Sequence, residues 1–451
     1  MYILLALAIF CALISIHEFG HFLVARLCGV EILEFAIGMG PKLVSWVSKK
    51  SGTRYSLRLL PIGGFVSMLG EDGMEAVQGS SEGDGKKDLL ICEGTEEAVA
   101  EPPVIDEERA KHAYCNQSVW KRILISLAGP AMNVILGFAL MLVMVLASGH
   151  AAVGTTEIAG FHVQYTAEES YQGLQGQDYI YAIDGKEVRS LQQIRDAINA
   201  KGEGATFQVT VRRMVEQQVV EEVLEGVALN QTLLNERFTT SLTEQSGLQI
   251  GDEVIRVNNV RVHTYHELGY EIMNQGHKPL ELTVLRNGKT EVLENVIVPQ
   301  YSESGAVFGE PDFMVYRERS FNALTVLKHT WYRSLSTVKM VFDSLFGLFS
   351  GRYGMEAVSG PVGITKTITD AAKTGWLNVL YLVTVISINL GVMNLLPVPA
   401  LDGGHLLLYV IELIRRKPVK REIEGMINFI GLIVILALAV LIAMKDIYNL
   451  F

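Results

Sequence analysis

Two histidines and a glutamate sit inside an apolar stretch of the chain, LISIHEFGHFLVARLCGV, Leu13 to Val30. The H-E-x-x-H spacing puts His17 and His21 at i and i+4 on one helix face, where both imidazoles can bind one Zn2+. Glu18 projects from a neighbouring angle and reaches a water without ligating. Zinc lowers the pKa of such a water, and a carboxylate takes its proton as the water attacks a carbonyl. Titratable groups are expensive in hydrocarbon, so a span that served only as structure would avoid this trio. Polar residues that hold helices together are the structural alternative.

A catalytic zinc takes a third protein ligand and keeps one position open. The best candidate is Asp402 in NLLPVPALDGGH, with His405 three residues on as competitor. Pro397, Pro399, Gly403 and Gly404 break the helix there. Irregular backbone at membrane depth is tolerated only where it is buried or lines a water-filled cavity, and hydrolysis needs such a cavity.

These residues must be carried by membrane spans. The chain has 451 residues, 49% of them hydrophobic, and a mean hydropathy of +0.28, which points to spans mixed with soluble parts. Four apolar segments are each near the ~20 residues a bilayer core requires. They run from about Tyr2 to Val24, Ile123 to Ala147, Leu377 to Leu396 and Met426 to Met444. The first lacks the basic leader and small-residue cleavage pattern of a signal peptide. The loop IRRKPVKRE, with Arg415, Arg416, Lys417, Lys420 and Arg421, is expected to be cytoplasmic. Both termini and the region 151–370 then lie on the opposite side. The loop 29–118 is cytoplasmic too, in keeping with Lys42, Lys49, Lys50, Arg54 and Arg58. Spans one and three run in the same direction, so His17, His21 and Asp402 approach the same membrane face.

Between residues 71 and 108 stand 13 Asp and Glu against 2 Lys, which equals the net charge of −11 of the whole chain. This acidic run is expected to be a mobile loop. No basic face or arm suggests nucleic acid. The four cysteines form no C-x-x-C pair, and none lies between 151 and 370, so no disulfide framework is expected. That region contains a repeat instead. GLQGQDYIYAIDGKEV (Gly173–Val188) and GLQIGDEVIRVNNVRV (Gly247–Val262) align without gaps at an offset of 74. Each reads as a Gly-Leu turn, an Asp-bearing turn, a strand, a tight turn, a helix and a closing strand. The order resembles two PDZ domains in tandem.

HEFGH in the first span with LDGG in the third resembles the site-2 protease family of intramembrane zinc metalloproteases. The tandem PDZ pair narrows the resemblance to its bacterial regulator-of-sigma-E branch. LPIGGFVSMLG, AGPAMN, SGPVGI and SINLGVMNLLPVPALDGGH extend it over nearly the whole chain. The resemblance implies a polytopic α-helical membrane protein with four transmembrane helices. Two α+β PDZ-like domains are inserted between helices 2 and 3, and a membrane-reentrant β-hairpin follows helix 1. The expected divisions are 1–28 (first span), 29–118 (loop with hairpin at about 55–70), 119–148, 151–226 and 227–300 (the PDZ pair), 301–375 (amphipathic, at the exported membrane surface), 376–405 (third span with LDGG), 406–425 (loop) and 426–446. Carried over by position, His17, His21 and Asp402 ligate zinc and Glu18 is the general base. Asn389 and Asn394 help hold the substrate backbone, and the hairpin edge around Gly63 and Gly64 takes the unwound substrate as an added strand. From its residues alone, the hairpin fits a cytoplasmic surface equally well.

The implied activity is zinc endopeptidase action in the bacterial inner membrane, with both termini and the PDZ pair periplasmic. Its substrates are transmembrane segments of single-span proteins already trimmed outside: an anti-sigma factor, whose cleavage starts an envelope stress response, and remnant signal peptides. Neither PDZ motif offers a strong carboxylate-binding loop, so a steric filter is expected of the pair. The acidic run is longer than the usual linker. A non-catalytic PDZ scaffold and a zinc hydrolase of lipid or lipoprotein are the rival readings.

Overall fold

A computed structural model describes residues 2–71, 107–202, 204–215, 218–275, 278–298, 312–351, 354, 358–417, 419 and 421–448. Most of the acidic run, and residues 299–311, lie outside the described residues. The chain divides into two compact units, residues 1–144 with 337–451 and residues 145–336.

In the first unit, helix α1 (Tyr2–Leu27) leads to strands β1 (Ile32–Val47) and β2 (Arg54–Met68). A single turn α2 (Glu107–Ala110) and the long α3 (Val119–Ser148) follow. Four helices are long and apolar enough to cross a membrane: α1, α3, α10 (Trp376–Asn394) and α12 (Arg421–Tyr448). The protein is thus a multi-pass membrane protein. Small residues let three of these spans approach closely, as packing without a hydrophobic driving force requires. A Cβ on Gly20 would lie 2.4 Å from the Ala128 carbonyl oxygen, and one on Gly391 2.8 Å from that of Pro130.

The expected hairpin is organised differently. Residues 55–60 and 64–70 do not pair with each other across the Pro-Ile-Gly-Gly bend. The first half of β1 intervenes: Ala36 has Ser56 on one side and Phe65 on the other. The second half of β1 pairs with 54–58, Trp46 opposite Tyr55. The sheet therefore has four runs in the order 42–47, 54–58, 34–37, 64–68. The 29–54 stretch completes it, and alternation inside 55–70 alone could not reveal that partner. Phe22, Ala25, Ile32, Met68 and Ile125 form the core that seats this sheet on α1 and α3.

The third span ends at Asn394, and LDGG is not its continuation but opens a new helix, α11 (Asp402–Arg415). Pro397 and Pro399 cannot donate to helical carbonyls. Gly403 presses its backbone on the preceding loop, where a Cβ would meet the Leu396 carbonyl oxygen at 2.1 Å. The SGPVGI motif starts helix α9 (Pro361–Thr374), whose Gly360 and Gly363 N–H groups donate to the Asp446 carboxylate of α12 at 2.9 and 2.8 Å.

The second unit holds two sheets. One runs β8–β7–β5–β4–β9, with β6 on β5; these are Gln218–Ala228, Thr206–Val215, Tyr179–Ile183, Val163–Tyr165, Phe238–Thr239 and Lys186–Glu187. Helices α4 (Leu191–Lys201) and α5 (Gln231–Arg237) occur in this stretch of chain, and the short α6 (Leu242–Gln245) follows it. The other sheet runs β13–β12–β10–β3–β14, with β11 on β10. Its strands are Lys289–Val296, Leu280–Arg286, Glu253–Val257, Gly154–Phe161, Phe313–Arg317 and Val260–Arg261, with helix α7 (Tyr265–Gln275). The sheets do not follow a division at 226/227. Strand β3, first in sequence, belongs to the second sheet, and Ile158 and Phe161 sit in its core. The chain enters one sheet, leaves to build the other between residues 163 and 239, and returns.

The repeat's aspartates have a shared function in folding. Asp178 accepts from the Gln175 N–H at 2.8 Å and from Arg213 at 3.0 and 2.8 Å. Asp252 does the same with Gln249 at 2.8 Å and Arg286 at 2.7 Å on both oxygens. Each arginine also donates to its Gly-Leu turn, at the Gly173 or Gly247 carbonyl, 2.9 Å away. Helix α8 (Ala323–Phe349) ends the unit's chain and continues into the first unit. Its Leu324, Leu327, Trp331, Leu335, Phe342, Phe346 and Phe349 are exposed at spacings of three, four and seven residues, which fall along one helix face.

Candidate metal centre

His17 and His21 point from one face of α1 at the first residue of α11. The His17 Nε2 lies 3.2 Å from the His21 Nε2 and 3.0 Å from Asp402 Oδ2, and His21 Nε2 lies 3.5 Å from Asp402 Oδ1. Both imidazoles are buried, and Asp402 is partly so. Tetrahedral zinc with ligands at ~2.0–2.1 Å has ligand–ligand edges of about 3.3 Å. The three donor separations bracket that edge. Among the described residues no Lys or Arg bonds to these lone pairs, and the donor set of two imidazoles and one carboxylate suits zinc. Among the described residues this is the one cluster of His, Cys, Asp and Glu with ligand atoms close enough to share an ion. A metal fits here.

His405, the competing ligand, is turned elsewhere. Its Nδ1 meets Glu424 at 3.2 Å and its Nε2 faces Asn428 at 3.4 Å, so α12 occupies both ring nitrogens.

Glu18 lies beside the trio but faces the sheet. Its Oε2 accepts the Val66 N–H at 3.2 Å. The run 64–68 pairs on one side with β1, and among the described residues no strand lies on its other side. Gly64 rests against the same helix face: a Cβ there would come within 2.8 Å of the Ala36 carbonyl oxygen and 3.8 Å of Glu18 Cγ. Gly63 is adjacent, its carbonyl accepting from Cys11 Sγ at 3.7 Å. The glycines and the candidate base therefore share one location. Asn389 is exposed on α10 and Asn394 half-buried at its last residue. Among the described contacts neither bonds to His17, Glu18, His21 or Asp402.

Helix α3 supplies what the motifs did not announce. The His21 Nδ1 meets the Ile125 carbonyl oxygen at 2.8 Å, and His17 Nδ1 faces the Asn133 amide at 3.1 Å. Between these contacts lies Gly129, where a Cβ would fall 2.3 Å from His21 Nε2 and 2.8 Å from His17 Cε1. Any side chain there would fill the space of the ligands. AGPAMN was visible as a motif, but its pairing with HEFGH is a contact across more than a hundred residues.

The model of peptidase family M50 matches residues 5–438. The regulator of sigma-W protease RasP of Bacillus subtilis is 29% identical over 98% of this chain and 97% of its own. The zinc metalloproteases RasP of Geobacillus kaustophilus and Oceanobacillus iheyensis are 29% and 28% identical, over 99% and 98% of this chain and 97% of each of theirs.

Proposed function

The chain belongs to peptidase family M50 and is a zinc metalloprotease, and from that premise we propose that it cuts single-span membrane proteins within their transmembrane segments. In this reading His17, His21 and Asp402 hold the zinc. The observation that carries it is the convergence of their donor atoms at 3.0–3.5 Å beside Glu18, between apolar helices. When bound, zinc supplies Lewis acidity to the scissile carbonyl and to the attacking water.

The protein's own groups do the rest. Glu18 takes the proton of the attacking water and delivers it to the leaving amide nitrogen, so that one carboxylate balances both transfers. A helix hides its carbonyls in its own hydrogen bonds, so a substrate helix must unwind before attack. The unpaired edge of 64–68 offers it backbone partners by strand addition. The Val66 N–H now held by Glu18 lies on that edge, which puts the added strand next to the base. Gly63 and Gly64 keep the approach clear, and Asn389 and Asn394 contribute amides to the substrate backbone. Ile37, Met39, Leu43, Val44, Trp46, Leu59 and Leu60 of this sheet are exposed. Such a surface supports a sheet dipping into the bilayer over one facing water. The exposed stripe of α8 supports a helix lying at the membrane surface.

We read the two sheets of residues 145–336 as a PDZ pair on the periplasmic side of the inner membrane, acting as a steric filter, with both termini on that side. The Bacillus subtilis relative is named for regulating a sigma factor. By analogy the substrate class is a pre-trimmed anti-sigma factor, cleaved in an envelope stress response, with remnant signal peptides as a second class. The test is Glu18→Gln in membranes with a single-span reporter. Cleavage is expected to vanish while zinc content stays at the wild-type level. Turnover near wild type would remove Glu18 from the mechanism, and intact cleavage of soluble peptides alone would remove the intramembrane substrate.

A further inference from the structure

Asn133 of AGPAMN is fully buried, and its contact with His17 has the wrong polarity for a metal site. The amide nitrogen faces His17 Nδ1 at 3.1 Å, while Asn133 Oδ1 is buried with no hydrogen-bond partner among the described residues. An imidazole that gives its Nε2 lone pair to a metal carries its proton on Nδ1. His17 Nε2 is the atom facing His21 and Asp402. With the metal bound, Nδ1–H and the amide N–H would be two donors pointed at each other. Which way an amide points is decided by its hydrogen bonds, because its oxygen and nitrogen are nearly the same shape. A half-turn about the last side-chain bond puts Oδ1 on Nδ1–H and gives the orphaned oxygen its donor.

We propose that Asn133 is the positioning residue of the zinc site: its Oδ1 accepts the His17 Nδ1–H and locks the tautomer that presents Nε2 to the metal. His21 has the same arrangement with a backbone acceptor, since Nδ1 meets the Ile125 carbonyl at 2.8 Å. Residues 125, 129 and 133 are four apart and share one face of α3. That face supplies an acceptor, a gap and an acceptor to the two histidines of α1. Asn133 is itself fixed from behind, because the Ser387 hydroxyl of α10 donates to its backbone carbonyl at 2.8 Å. Three spans thereby set the direction of one lone pair.

The inference rests on the assignment of His17 as a zinc ligand, and the experiment separates the two. Zinc affinity of the full-length protein in detergent is measured by competition with a chelator, for wild type, His17→Ala, Asn133→Asp and Asn133→Leu. Loss of an outer hydrogen-bond partner weakens metal binding about 10–100-fold, the drop expected for Asn133→Leu. Asn133→Asp is expected to bind within about threefold of wild type or tighter, because a carboxylate can only accept and strengthens the ligand. If Asn133 served packing alone, a buried charge would be at least as harmful as leucine. Asn133→Asp that loses zinc as Asn133→Leu does, or fails to fold, overturns the proposal; so does Asn133→Leu with wild-type affinity. Should Asn133→Leu not fold, Asn133→Asp decides alone. Zinc that survives His17→Ala sinks the ligand assignment, and this inference with it.

Discussion

Both units bury carboxylates, and they use them in opposite ways. In residues 145–336, Asp178 and Asp252 are 1% exposed and each is closed off by a bidentate arginine and a backbone N–H. Nothing is left over for a ligand. In the membrane unit, Asp402 faces two imidazoles whose outer nitrogens are already engaged by α3. Its oxygens and both Nε2 atoms converge on one point that no Lys or Arg among the described residues fills. A satisfied buried charge holds a fold, and buried lone pairs aimed at one another ask for an ion. The difference is visible only in partners, since in the sequence all three are aspartates within two residues of a glycine.

The sharpest way to break this contrast is to remove each kind of carboxylate. Asp402→Ala deletes one of three ligands, and we expect zinc to be lost and proteolysis to fall at least ~1,000-fold. Protection of the 145–336 strands from hydrogen exchange should be unchanged. Zinc retained at the wild-type level by Asp402→Ala would remove it from the site. Asp252→Ala should do the reverse. It leaves Arg286 with only Glu291 and the Gly247 carbonyl, and breaking a buried pair from one side costs about 3 kcal/mol. Exchange should accelerate in β10 and β12 while zinc content holds. Loss of zinc from Asp252→Ala would erase the distinction.

Acid should also act on the two units unequally. In residues 145–336, burial, with Arg333 and His329 nearby, holds His266 down to about 3, and burial beside Arg212 holds His162 down to about 4. Both fold as neutral rings and gain protons on unfolding at the ordinary value near ~6.5. The unfolded chain therefore binds more protons below that value. Stability is complete above about 6.5 and declines as pH falls towards the folded values, by about 1.4 kcal/mol per pH unit for each histidine. Asp312 and Glu267 are raised by burial and offset this once they protonate. The slope is therefore clearest just below about 6.5, before those carboxyls take up protons. Denaturant titrations followed at α7 should show the slope there, and a flat profile would mean that the two rings are hydrated in solution.

Local pattern made much of this molecule legible. HEFGH with LDGG pointed to the donors that the structure brings together, and four apolar runs marked four helices long and apolar enough to span a membrane, α1 and α3 among them. What pattern did not carry was choice of partner. Asn133 and Gly129 matter because α3 crosses α1 at His17 and His21, and no periodicity encodes that crossing. Arg213 and Arg286 each look like an ordinary charge at the end of an alternating strand. The β1 run looked like a loop because its partners lie on both sides of it and its bends fall at Gly38 and Gly40. Strand β3 is the clearest case. Its alternation suits either sheet, and only the core that Ile158 and Phe161 enter decides between them.

That exchange of strands carries the last and smallest prediction. The first sheet is one continuous stretch whose ends are neighbours, with Gln164 opposite Thr239 and Tyr165 opposite Phe238. Just outside them, the His162 N–H donates to the Asp312 carbonyl oxygen at 2.9 Å, and the Thr243 N–H reaches the Asp312 carboxylate at 3.2 Å. Chain entering and leaving the stretch therefore passes one residue, Asp312, and a short turn can join 162 to 240. Such sites tolerate excision when the backbone bonds they break are few. Between β3 and the excised stretch the bond lost is the Phe161 N–H to the Arg189 carbonyl, at 2.9 Å. One backbone hydrogen bond is worth about 1 kcal/mol net. Full-length protein lacking 163–239 should accordingly keep exchange protection in β10, β12 and β13, and keep its zinc. A linear boundary at 226/227 predicts the opposite, because the cut would then leave a fragment of the first repeat and spill into the second. Collapse of protection across β10 to β13 would show that the two sheets fold as one body rather than one nested inside the other.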